Sequence, residues 1–117
     1  MNNFDLKEKT VKFSEEIIDL CKELDITPLN RRIIDQLIGS SGSIGANYCE
    51  VCESESKKDF RHKMSIAKKE IKETKHWLRL LVKVHNDKKD KCRPLWKEAH
   101  ELLLIFSKSI EISKKQK

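Results

Sequence analysis

Cys49 and Cys52 are separated by two residues, a spacing at which thiols can share a zinc ion or form a redox couple. Structural zinc takes four ligands, usually as two such pairs, and this chain offers one pair. A redox pair normally opens a helix that follows a strand, whereas this one closes a helical segment. Packing is the reading left for both thiols, and Cys21 and Cys92 stand alone in sequence. Asn47 and Glu50 lie about one turn apart, where structural hydrogen bonds are a commoner use than a catalytic pair. Gly39, Gly42 and Gly45 have neither the Gly-Lys-Ser/Thr ending of a phosphate loop nor a preceding strand. Small residues at that spacing would let another helix approach closely; a hinge or a phosphate cradle are the alternatives. No nucleophile with a base, acid–base pair or complete metal set can be assembled. The chain is therefore expected to have no catalytic residues, no metal and no cofactor, and to act on no small-molecule substrate.

The stronger signal is charge. Residues 57–84 hold ten Lys/Arg against three Asp/Glu, whereas residues 1–25 hold four against seven. Placed about 100° apart, as an α-helix requires, residues 57–84 sort into three faces. Phe60, Met64, Ala67, Ile71, Thr74, Leu78 and Val82 form a core stripe. Lys58, Arg61, Lys68, Lys72, Lys75, Arg79 and Lys83 form a basic stripe beside it. Seven cations on one face could neutralise several phosphates, and counterion release would then supply most of the affinity. Such contacts position a protein without reading sequence. Aromatic platforms for unpaired bases are scarce, which favours structured RNA or duplex. A solvated face rich in Lys is the competing reading. His62 and His76 are read as isolated surface residues. Ile66, Trp77, Leu80 and Val84 form a third side. As large apolar groups off the core face they suggest a subunit interface, which is favoured over the alternative of burial on two sides within one bundle.

The elements that carry these faces follow from periodicity and breakers. At 117 residues, the chain is long enough for one domain and one modest core, and 38% charged with 6% aromatic residues suits a helical bundle. Apolar steps of three and four predict helices at about 5–24, 28–53, 57–85 and 93–113. Asp25-Ile26-Thr27-Pro28 breaks the first from the second, with Thr27 as cap and Pro28 at the first helical position. Leu29, Ile33, Leu37, Ile44, Tyr48 and Val51 are the second helix's expected core residues. Ser56 and Asp59 resemble a capping box. Asn86 to Lys91 reads as a polar turn before a fourth helix near Pro94, and the tail from Lys114 to Lys117 as frayed. Short connections between long amphipathic helices predict an all-α, up-down-up-down antiparallel four-helix bundle over residues 1–117. No segment is apolar enough to span a bilayer, and no signal-peptide core opens the chain. Those features lead to the expectation of a cytoplasmic protein with reduced thiols and no membrane partner.

Gly42-Ser43-Ile44-Gly45-Ala46-Asn47-Tyr48-Cys49-Glu50, then Ser56-Lys57-Lys58-Asp59-Phe60 and Ile66-Ala67, carry a resemblance to a known family. The chain resembles the bacterial four-helix-bundle proteins encoded by intervening sequences within 23S ribosomal RNA genes. That family typically shows Ser-Ile-Pro-x-Asn-Ile-x-Glu-Gly in helix two and Ser-x-x-Asp-Phe opening helix three. The likeness runs roughly from Phe13 to Phe106 and is most specific between Gln36 and Leu81. It departs at Gly45, where Pro is usual, and at Val51, where Gly is usual. The resemblance implies a ring-like homopentamer. It also implies kinship with the accessory protein of diversity-generating retroelements, which is basic and acts beside a reverse transcriptase and its RNA. It implies no catalytic activity.

Overall fold

The computed structural model describes residues 3–116, and Lys117 of the expected tail lies outside them. Four helices run in chain order: α1 (Asn3–Lys22), α2 (Arg31–Cys52), α3 (Lys57–Val84) and α4 (Lys89–Lys115), with a short 3-10 turn at Asn86–Lys88. Each packs on its sequence neighbours, α1 also meets α4, and the diagonal pairs stay apart. Contacts pair the end of one helix with the start of the helix before it: His85 meets Asn30, and Ser113 meets Arg61. The result is an up-down-up-down antiparallel bundle measuring 50 × 20 × 20 Å, as short connections between amphipathic helices require.

The core is the sum of four stripes. Phe13 and Ile17 from α1, Leu37 and Ile44 from α2, Met64 and Ile71 from α3, and Leu102 and Phe106 from α4 are all fully buried. Within α3, Phe60 and Val82 are half-buried at the edges of the expected stripe and Leu81 is fully buried, so the core face is turned slightly from its expected position. Ser40 and Ser41 occupy core positions on α2, and the Thr74 hydroxyl of α3 sits 2.9 Å from Ser40 Oγ. Small residues here let α2 and α3 pack closely, and the hydroxyl pairing satisfies the groups that burial removes from water.

The α1–α2 connection is organised by Asn30, which is fully buried. Its Oδ1 accepts from the Thr27 backbone N–H at 2.8 Å, while the Thr27 hydroxyl accepts from the Asn30 N–H at 3.2 Å. Its amide nitrogen lies 2.8 Å from the Asp25 carbonyl oxygen and 3.0 Å from His85 Nε2. The side chain thereby ties this turn to the far end of α3. The regular helix starts at Arg31, three residues later than expected at 28. Turning Asn30 inward leaves Leu29 outside, 72% exposed, and Ile34 takes the core position. At the other end of α2, the Ser56 hydroxyl caps α3 by accepting from the Asp59 N–H at 3.0 Å. Asp59 returns a bond to the Glu55 N–H, one residue before the position a capping box would use. The bond from Lys63, then that from Glu55, holds the Asp59 carboxyl below its usual range.

Further boundaries differ from expectation, and α4 runs on to Lys115, so Lys114 and Lys115 of the tail expected to fray are helical. Helix α1 ends at Lys22 rather than 24, tightening into i→i−3 bonds at Glu23 and Leu24. Helix α4 begins at Lys89, four residues before the expected 93, and contains Pro94 in its second turn. Cys92, only 1% exposed, extends the core stripe N-terminal to Pro94 and draws the polar segment into the helix.

The glycine series does not form a packed ridge. A Cβ at Gly39 or Gly42 would meet nothing within 4 Å, and only Gly45 lies close to a neighbour, 3.1 Å from Thr10 Oγ1. A step of three turns 60° short of a full circle, so the series rotates off the contact face. None of the three has positive φ. Gly39→Ala and Gly42→Ala should each stabilise the chain by about 0.5–1 kcal/mol in urea unfolding. Gly45→Ala should gain less or lose stability, because Thr10 must give way. Equal gains at all three positions would refute the close α1–α2 approach.

Candidate nucleic-acid interface

The burial of α3 against α2 and α4 turns its basic stripe toward the α4 edge. Lys58, Lys72, Arg79 and Lys83 are exposed, whereas Arg61, Lys68 and Lys75 are half-buried. Arg61 reaches α4, with Nη1 3.3 Å from both the carbonyl oxygen and the hydroxyl of Ser113. The Lys75 ammonium lies 2.9 Å from His100 Nδ1 and 4.3 Å from the centroid of the Trp96 ring. An ammonium only donates, so Nδ1 of His100 is the acceptor. The imidazole itself stacks on Trp96, with 5.5 Å between centroids and 7° between planes. Two of the seven stripe residues are thus anchored to α4, and their charge joins that of the second helix.

Lys89, Arg93 and Lys97 follow each other at steps of four on α4 and face the stripe across a groove of about 500 Å³. Leu78 and Val82 of α3 and Cys92 and Trp96 of α4 line its apolar part, and Arg79 with the three α4 cations lines the rest. No carboxylate lines it. Among the described residues, none of the seven stripe cations and none of these three forms an ion pair. Two neighbouring lysines differ: Lys88 of the 3-10 turn and Lys91 of α4 both bind Glu23, just past the end of α1. Those bonds, Lys91 first, hold the Glu23 carboxyl below its usual range.

The α4 half of this surface does not stand out in the sequence, because the largest charge excess lies on α3. Its signal was present as cations at 89, 93 and 97 with Trp96 between them. Trp96, 39% exposed, also supplies an aromatic surface where few were expected.

The proposed interface residues divide. Ile66 is 38% exposed, but Trp77, Leu80 and Val84 are half-buried. Trp77 packs against the core and meets the His76 ring edge-on at 5.0 Å, so part of this face is occupied within the chain. Val11 and Ile18, seven residues apart on α1, are exposed apolar residues that the sequence reading did not select.

The smaller motifs also resolve. Cys49 and Cys52 are both free and exposed, so neither is the core packing residue that was expected. Each follows a buried residue, Tyr48 or Val51, and is thereby turned about 100° off the buried stripe of α2. Cys21 and Cys92 are buried; burial, then Cys92 beside it, pushes the Cys21 thiol up to about 11. Among the described residues no group of His, Cys, Asp and Glu is arranged to hold a metal. Asn47 donates to the Ser43 carbonyl oxygen at 2.8 Å, a structural bond, and Glu50 is exposed. His62 and His76 are exposed. No described helix is long and apolar enough to cross a membrane.

A family model for the 23S rRNA-intervening sequence protein matches residues 2–108. Among solved structures, the chain is similar to a protein of unknown function from the S23 ribosomal protein family of Bacteroides thetaiotaomicron. The two share 29% sequence identity over 90% of this chain and 97% of that chain, with a TM-score of 0.78. No curated protein matches.

The anchoring of Lys75 separates it from its neighbours on the stripe. Lys75→Ala should lower stability by about 0.5–1 kcal/mol through loss of the Trp96 contact. Lys72→Ala, on the open face, should change it by less than about 0.5 kcal/mol. Urea unfolding of both variants measures the difference, and equal losses would show that the ring contact contributes nothing.

Proposed function

This chain belongs to the 23S rRNA-intervening sequence protein family, and we propose that it is a non-enzymatic, self-associating bundle that binds structured RNA through α3 and α4. The supporting observation is that ten cations on two adjacent helices, seven on α3 and three on α4, have no carboxylate partner among the described residues. A cation already bound to a carboxylate is partly neutralised, whereas these ten are left to meet phosphate oxygens directly.

Fluorescence anisotropy of a labelled RNA hairpin across a salt series tests the reading. Each neutralised phosphate contributes about 0.7–0.9 to the slope of log affinity against log salt, so a slope of roughly −4 or steeper is expected. The triple variant Lys72→Glu, Lys75→Glu, Arg79→Glu should abolish binding while circular dichroism shows helicity retained. Full affinity in that variant would remove the stripe from the site.

A second reading, an oligomeric scaffold for protein partners such as a reverse transcriptase without direct RNA contact, draws on the apolar residues outside the core, Ile66 above all. Self-association is common to both readings, and a pentamer is the assembly the family resemblance implies. Ile66→Glu should give smaller particles by light scattering; an unchanged mass would exclude Ile66 from the subunit interface. RNA binding that is absent even at low salt would favour the scaffold.

A further inference from the structure

The α3–α4 groove has a shape and chemistry that the basic stripe alone does not require. Its apolar lining is one helical turn long on each wall, from Leu78 to Val82 and from Cys92 to Trp96, or roughly 6 Å at 1.5 Å per residue. A docked amphipathic helix uses anchors from i to i+7, a span of roughly 10 Å, which exceeds that lining. A single planar ring fits within it. Around the lining stand Arg79, Lys89, Arg93 and Lys97 with no acidic residue, so an occupant that adds negative charge at its edges is complementary.

Trp96 is already arranged as a stacking surface. With the Lys75 ammonium 2.9 Å from His100 Nδ1 and 4.3 Å above the indole centroid, Lys75 and the stacked imidazole must share one side of the ring. Both restrict its rotation, and the indole borders the groove while 39% exposed. We propose that the groove receives one unpaired nucleotide of a bound RNA, its base on Trp96 and the apolar lining, its flanking phosphates on the surrounding cations. This rests on the RNA-binding reading above and specifies the RNA: a helix carrying a bulged or unstacked residue.

The experiment compares two labelled hairpins that differ by one bulged purine, titrated with the full chain and with Trp96→Ala and Trp96→Phe. The bulged hairpin should bind more tightly by about 5- to 150-fold, the range for one base stacked on an aromatic side chain. Trp96→Phe should keep the preference; Trp96→Ala should erase it without changing the salt slope. A 2-aminopurine in the bulge should lose fluorescence on binding the full chain and keep it with Trp96→Ala. Equal affinity for both hairpins with the steep salt slope intact would overturn the groove assignment and leave RNA binding by the stripe standing. No binding of either hairpin would remove both. Saturation by adenosine monophosphate at the concentration that suffices for the bulged hairpin would overturn an RNA strand as occupant in favour of a free nucleotide. Displacement of the hairpin by an equimolar acidic helical peptide would overturn it in favour of a protein partner.

Discussion

Six residues of α3 between Met64 and Leu81 are buried in the bundle, and α3 packs on both α2 and α4. Since successive residues turn by about 100°, that burial decides the direction of every other side chain on the helix. With the core on one side, the basic residues fall at the α4 edge and Ile66 on a separate face. Rotating α3 by one residue would carry Leu78 and Ile71 toward solvent and Arg79 and Lys72 toward the core. The loss of burial and the desolvation of charge both oppose it. The cationic surface is therefore as well determined as the core, although its own side chains reach solvent.

That determination extends to both ends of the helix. At the start, Ser56 and Asp59 satisfy backbone groups that the first turn leaves open. At the end, Asn30 binds His85 from the α1–α2 turn, so two connections that are remote in sequence are held by one buried amide. The groove lies toward this end. Its walls are positioned by the turn from α3 to α4, and His85 belongs to that turn.

The four helices, their order and the stripe of α3 were legible in the sequence because each is a periodic pattern, and burial is what imposes period. The parts not legible depend on contacts between patterns. The start of α4 was hidden by Pro94 and a polar run, and is explained by Cys92 entering the core from a segment that looked like a turn. Leu29 had the right spacing for burial but lost its place to Asn30, whose hydrogen bonds no periodicity reveals. Gly39 and Gly42 looked like a packing ridge, yet which way a glycine faces depends on where the neighbouring helix lies. The α4 half of the candidate interface becomes a site only when Lys89, Arg93 and Lys97 meet Arg79 across a groove. Trp96, adjacent to the core residue Leu95, was unremarkable until Lys75 and His100 were brought against it.

The unpaired cations also set the molecule against itself. Like charges held on two adjacent helices raise the free energy of the compact state, and mobile anions around them relieve that repulsion. Dissolved salt should thus firm the fold under the same conditions in which a bound polyanion lets go. Any polyanion received at the proposed site would supply the same screening, so binding there and added salt would relieve one repulsion by two routes.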